Sequence, residues 1–340
     1  MGNFIFSIII AVYNTEKYLN DAIESIINQS FDFSKVQLIL IDDGSTDSSG
    51  LICKEYQNKY PNILYIYKEN GGQTTARNMG INYAKGEYIN FMDSDDKFEL
   101  NALQEVYNFF EKYSDEIDVV ATPRYMFEAR EGPMSLNYRF HKTRVIDINE
   151  EFNCPQLAIN SVFIRKDALT EKFDPRLIVS EDATLINKII LKKCKYGVVN
   201  STKYLYRKRL EETSTIDTKK VNKQYFIPRV KYYMKELIDY SIANFGEVIK
   251  HIQFCIMFDL QWMYEENTIR DALNNEEFRE FECLLFDVLQ YIEDDIIFSQ
   301  KYLDKFLKYH IFKFKYIAQK FNFIQDSNNL ILKLIMRYYI

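Results

Sequence analysis

Over its first 120 residues the chain alternates short, β-branched apolar runs with segments whose apolar residues recur at helical spacing. Few folds accept that alternation. The run Phe6-Ser7-Ile8-Ile9-Ile10-Ala11-Val12 suits a strand buried on both faces. Residues 16–29 follow with Leu19, Ala22, Ile23, Ile26 and Ile27 spaced as on one side of a helix. Residues 36–41, 63–67, 88–92 and 119–121 read as further strands, and 47–60, 73–84 and 99–113 as the helices between them. Strands separated by helices predict right-handed βαβ crossovers and a mostly parallel sheet covered on both faces, an α/β fold. Ligands of such sheets bind beyond the carboxyl ends of the strands.

Past residue 120 the pattern changes. Residues 122–178 hold four of the six prolines and no sustained period, although 160–165 read as a strand. Residues 183–193 read as a helix and 198–206 as a strand that ends in the basic Arg207-Lys208-Arg209. From about 220 onward the spacing is helical, through Val230, Tyr233, Met234, Leu237 and Ile238 and then Ile252, Cys255, Ile256, Leu260 and Met263. Six of the ten glycines fall between Gly44 and Gly86, and after Gly246 there is neither Gly nor Pro. With 340 residues the chain exceeds one ordinary domain. The expected division is 1–218 for a turn-rich α/β domain and 219–340 for a helical C-terminal domain.

Charge follows the same division. The chain is formally −6, yet residues 301–340 hold eight Lys/Arg against two Asp, so an acidic body carries a basic tail. An acidic body argues against nucleic-acid binding. Five scattered cysteines without a C-x-x-C pair read as free thiols of a reducing compartment. Neither a signal peptide nor a membrane-spanning run is legible, and the expected location is cytoplasmic. His141, His251 and His310 are isolated from one another, and none is assigned to a metal.

Four strand ends carry polar chemistry: Ala11-Val12-Tyr13-Asn14, Asp42-Asp43-Gly44-Ser45-Thr46-Asp47, Asn70-Gly71-Gly72 through Ala76-Arg77-Asn78, and Asp93-Ser94-Asp95-Asp96. Each alone is ordinary turn and cap chemistry. Together they line one edge of one sheet. Asp93 and Asp95 could share a divalent cation, directly or through phosphate, and oxygen donors suit Mg²⁺ or Mn²⁺ over zinc. Asp43 can accept from a base N–H, and Tyr13 offers a flat face for stacking. Arg77 could reach a nucleotide or pair with Asp43. Gly71-Gly72 permits close backbone approach but is neither a dinucleotide fingerprint nor a Walker A loop.

With these motifs in this order and spacing, the chain resembles the family-2 glycosyltransferases of GT-A fold over about residues 4–215, particularly those of bacterial cell-surface polysaccharide and teichoic acid synthesis. Ala11 stands where that family more often has Pro or Thr. The resemblance implies an inverting, metal-dependent transfer of a hexosyl or N-acetylhexosaminyl group from a nucleotide-diphosphate donor, UDP-linked by expectation. Ala11, Tyr13, Asp43, Arg77, Asp93, Ser94, Arg207 and Arg209 would bind the nucleotide sugar, and Asp95 would hold Mn²⁺ or Mg²⁺. It further implies a base on the acceptor side, which Ser180-Glu181-Asp182 fits: Asp182 as base, Glu181 beside it, and Ser180 as N-cap of the following helix. Thr213-Ser214, after the basic cluster, resembles a segment that closes over the diphosphate. The acceptor would be a cell-surface glycan, a teichoic-acid-like polymer or a lipid-linked glycan.

Two other classes compete. A non-catalytic glycan- or partner-binding protein on the same fold would lack the paired aspartates or the acidic base, and both are present. A sugar nucleotidyltransferase would want a Gly-rich basic loop after the first strand, which Ala11-Val12-Tyr13-Asn14 is not. The tail from Lys301 interleaves ten aromatic with its eight basic residues. It admits three readings: packing as a last helix pair, self-association into a homo-oligomer, or peripheral contact with the inner face of the plasma membrane or with a polyanionic acceptor.

Overall fold

The computed structural model describes residues 4–209, 223–264 and 269–320. Strands β1 (Phe6–Val12), β2 (Val36–Asp42), β3 (Ile63–Tyr67) and β4 (Tyr88–Asp93) run parallel in the order β3-β2-β1-β4. Helices α1 (Leu19–Ile27), α2 (Ser49–Lys59) and α3 (Gln73–Tyr83) make the crossovers. In register, Ala11 stands beside Asp93 on one side and Ile41 on the other, so the polar ends of these strands arrive at one edge. Helix α3 seats closely on β1 because Gly80 has no side chain: a Cβ there would lie 2.4 Å from Cγ2 of Ile9.

Beyond β4 come β5 (Lys97–Phe98), α4 (Ala102–Tyr113), β6 (Val119–Ala121), β7 (Arg124–Glu128), β8 (Gly132–Pro133), β9 (Arg144–Asp147) and β10 (Val162–Arg165). Helix α5 (Glu181–Leu191), β11 (Lys195–Val198) and β12 (Tyr204–Lys208) follow. The main sheet has eight strands, β3-β2-β1-β4-β10-β6-β11-β9. The expected α/β class holds, but β10 enters antiparallel between β4 and β6, and β9 lies antiparallel on β11, so the sheet is mixed. A second correction concerns 198–206. It is not one strand: β11 ends at Val198, a polar turn through Asn200 and Ser201 intervenes, and β12 joins a second sheet, β5-β12-β7-β8.

The helical C-terminal region comprises α6 (Lys223–Arg229), a π-helical turn (Val230–Met234), α7 (Lys235–Phe245), α8 (Lys250–Tyr264), α9 (Ile269–Ala272), α10 (Asn275–Leu289), α11 (Asp294–Ser299) and α12 (Lys305–Lys320). One face of the sheet packs α1 and α4 through Leu19, Ile23, Ile26, Val106 and Phe110. The other face packs α3 and α5, and its apolar cluster continues without a break from Ile9 and Phe91 through Ile186 and Ile189 into Leu237, Ile256, Leu285 and Ile311. Helix α5 is buried along its length between sheet and helices. In the tail, Ile311 is buried and Lys315 Nζ donates to the Ile292 carbonyl and to Asp294 Oδ1, both at 2.7 Å, so α12 packs. Thr213, Ser214 and residues 321–340 lie outside the described residues. Among those described, no helix is long and apolar enough to cross a membrane, and all five cysteines are free.

Candidate active site

The loops at the ends of β1 and β2 are laced together. Asn14 sits in a left-handed conformation (φ 49°), and its Oδ1 accepts from Thr46 N at 2.8 Å. Thr15 N donates to Ser49 Oγ and Glu16 N to Asp47 Oδ2. Tyr13 projects from this frame half exposed. Asp43 is buried and accepts from Gly71 N (3.0 Å), Gly72 N (2.8 Å) and the Lys68 ammonium. A carboxylate offers about four acceptor positions, so these three donors leave one for a ligand. Gly72 carries φ 87° where α3 begins, a torsion only glycine adopts cheaply.

Arg77 does not pair with Asp43, as its loop position suggests, but with Asp93 and Asp182. From the first turns of α3 its buried guanidinium donates to Asp93 Oδ1 and to Asp182 Oδ1, each at 2.9 Å, with Glu181 Oε1 at 3.5 Å. Burial works against its charge, but Asp182, Asp93 and Glu181 together outweigh that and raise its pKa. Asp93 also accepts from Gln73 Nε2 (3.0 Å) and from Asn160 Nδ2 (3.1 Å). Asp182 accepts from Ile159 N at 3.2 Å. Burial raises the Asp182 pKa and the Arg77 charge opposes the rise. One cation thus joins the strand-end aspartate to the acid pair that opens α5.

After β4 the chain turns sharply, and Ser94 and Asp96 are buried. Asp96 accepts from the Tyr204 hydroxyl (2.7 Å) and from Arg207 N (2.8 Å). Asp95 Oδ2 accepts two bonds from Arg209, at 2.9 and 2.6 Å. Burial, and then the Asp93 charge, push both the Asp95 and the Asp96 pKa upward. Arg207 faces inward: it donates to the Asp95 carbonyl (2.7 Å), to Asp21 Oδ2 (2.8 Å) and to Glu128, and it stacks on Tyr18 and Phe127. Burial would lift the Asp21 pKa, but Arg207 and Lys97 hold it below the usual range.

Asp95 fits a hard divalent cation by donor type, and the crowding of Asp93, Asp95 and Asp96 makes a compensating positive charge favourable. Among the described residues no group of three His, Cys, Asp or Glu side chains could hold a metal ion. A cation here would rest on one or two carboxylates and on the phosphates of a substrate, as Mg²⁺ commonly does.

The fold therefore gathers Arg77, Asp93, Glu181 and Asp182 at one point, Asp95, Arg207 and Arg209 at a second, and Asp43 under the Gly71-Gly72 loop. Ala11 lines the edge beside Asp93, and Tyr13 the rim. Ser180 occupies the N-cap position but caps nothing with its side chain. Two residues that the sequence pattern leaves unmarked, Lys68 and Asn160, complete the cluster. Lys68 directly follows β3 at the loaded edge, where a strand-end search could find it. Asn160 carries no local signal.

The family model described as glycosyl transferase family 2 matches residues 7–169. The chain is 42% identical over 317 residues to the minor teichoic acid biosynthesis protein GgaB of Bacillus subtilis, covering 92% of this chain but only 35% of that protein. To GgaA of the same organism, also a minor teichoic acid biosynthesis protein, it is 38% identical over 322 residues, covering 91% of this chain and 72% of GgaA. Among solved structures, S. aureus TarS 1–349 in complex with UDP-GlcNAc superposes with a TM-score of 0.70 at 22% identity, over 96% of this chain and 93% of that one.

Proposed function

The chain belongs to glycosyl transferase family 2 and has its GT-A fold, and from this premise we propose an inverting transfer of a hexosyl or N-acetylhexosaminyl group from a UDP-sugar to a hydroxyl of a teichoic-acid-like polymer. The observation that carries the mechanism is the Arg77 bridge between Asp93 and Asp182. It holds the donor-side aspartate and the proposed base at a fixed separation, as a one-step displacement requires. Asp182 takes the proton of the attacking hydroxyl at a carboxylate oxygen. Its burial strengthens it as a base, and Arg77 keeps it ionised. Glu181, on the same guanidinium, orients the acceptor.

Tyr13 and Asp43 hold the nucleoside, with Ala11 and Ser94 lining the backbone path and Asp93 beside the sugar. Asp95 would hold a divalent metal, whose charge would offset that developing on the departing diphosphate. Arg209 exchanges Asp95 for a phosphate oxygen, while Arg207, already spent on Asp21 and Glu128, supports the turn. The two B. subtilis relatives support the acceptor class by their names, and the UDP-GlcNAc in TarS supports uridine in the donor. In this reading 1–218 carry donor and base, and 219–340 serve acceptor binding, oligomerisation or contact with the inner face of the membrane.

The test is release of nucleoside diphosphate from a panel of nucleotide sugars with Mn²⁺, with UDP affinity followed by calorimetry. Asp182→Asn is expected to lower turnover roughly 10²- to 10⁴-fold with UDP affinity nearly intact. Asp95→Ala is expected to weaken Mn²⁺-dependent UDP binding. No release from any donor, together with no UDP binding, would overturn the enzyme reading.

A further inference from the structure

A buried ion pair in the helical region reaches the helix that carries the proposed base. Arg229, at the end of α6, and Asp259, in α8, are each more than nine-tenths buried (6% and 8% exposed). Their contact is bidentate, Nε to Oδ2 and Nη2 to Oδ1, both at 2.6 Å. The same Nε donates to Ser180 Oγ at 3.0 Å, and that hydroxyl lies 3.4 Å from each Asp259 oxygen. Ser180 immediately precedes Glu181 and Asp182. Its backbone is left-handed (φ 66°, ψ 6°), a state that a residue with a Cβ keeps only where its surroundings hold it. Its carbonyl accepts from Thr184 N (3.0 Å) and Thr184 Oγ1 (2.9 Å), so the torsions of Ser180 set the direction in which α5 departs. A buried pair of this kind is weak as a source of stability, and an apolar pair of like volume would often serve as well. Here it has a job that an apolar pair could not do, because it grips a hydroxyl.

We propose that Arg229 and Asp259 are positioning residues: by holding Ser180 left-handed they set where Asp182 and Glu181 stand against Arg77 and Asp93. Through these two residues the helical region acts on the transfer step by way of α5, neither of them touching substrate. The proposal rests on the reading of Asp182 as base.

It is tested by the kinetics of Ser180→Ala, Ser180→Gly, Arg229→Met and the double variant Arg229→Met/Ser180→Gly. The substrate is UDP-N-acetylglucosamine, or whichever UDP-sugar the wild type hydrolyses in the panel above, and UDP affinity and thermal midpoint are read alongside. Ser180→Ala keeps the Cβ that resists the left-handed state and loses the hydroxyl that is gripped. It is expected to lose roughly ten- to hundredfold in kcat with KM and UDP affinity unchanged. Ser180→Gly adopts the conformation unaided and is expected to recover most of that loss. The glycine is also expected to rescue kcat in the Arg229→Met background, which a merely structural role for Arg229 does not predict.

Wild-type kcat in a folded Ser180→Ala, or failure of Ser180→Gly to improve on it, would overturn the proposal. Should Arg229→Met not fold, the Ser180 pair alone still decides. Asp182→Asn separates the two failures. If it is inactive while Ser180→Ala is unimpaired, positioning fails and the base stands. If it retains full turnover, the base reading itself falls.

Discussion

Arg77 carries one positive charge into a buried space that holds three carboxylates, those of Asp93, Glu181 and Asp182. Removing it strands three like charges in low dielectric. Arg77→Met is therefore expected to cost about 3–5 kcal/mol in urea denaturation. Arg77→Lys should recover only part, since a single ammonium cannot address Asp93 and Asp182 through separate nitrogens. Arg77, Asp93, Glu181 and Asp182 are each marked in the sequence as strand-end or helix-start residues, but their pairing is not. Asp43 and Arg77 are the obvious match on neighbouring loops, yet Asp43 is satisfied by Lys68 and two glycine amides. The actual partner Asp182 lies 105 residues away in the chain. Its approach depends on how α5 crosses the sheet, which no local pattern encodes.

At the scale of elements, β1 and α3 meet through Gly80. Gly80→Ala would set a methyl 2.4 Å from Ile9 Cγ2, and the helix must lift to admit it. A loss of about 1–3 kcal/mol is expected, seen as a lowered thermal midpoint with secondary structure unchanged by circular dichroism. The strands and helices of the first 120 residues are legible because continuous apolar runs alternate with segments whose apolar residues recur at the 3.6 period. Strand direction is not. Val162-Phe163-Ile164 is as apolar as β1 because both are buried on both faces, and an apolar run carries no arrow, so the antiparallel entry of β10 stays hidden. The same blindness merges β11 with β12: hydrophobicity on either side of Asn200-Ser201 does not say that the two runs belong to different sheets.

For the whole molecule, the helical region and the α/β body are tied by His251 of α8. Its ring nitrogens meet the Phe152 carbonyl at 3.2 Å and Asn187 Oδ1 of α5 at 3.1 Å. Burial lowers its pKa to about 4 from 6.5, against the smaller upward pull of the Phe152 carbonyl. Between those values the unfolded chain binds the proton and the folded one does not. Stability is therefore full above pH 6.5 and declines as pH falls toward 4. A drop of roughly 2 kcal/mol from this group is expected between pH 7 and pH 5 in urea titrations. His251→Gln should lack that component. The apolar cluster that runs from Ile9 of β1 to Ile311 of α12 has a further consequence during synthesis. Chains leave the ribosome amino end first, so the sheet and α5 emerge long before the helices that cover them. Until those helices emerge, Ile186, Ile189 and their neighbours on α5 lack their apolar cover, and the nascent chain is exposed to aggregation and to chaperone capture throughout that interval.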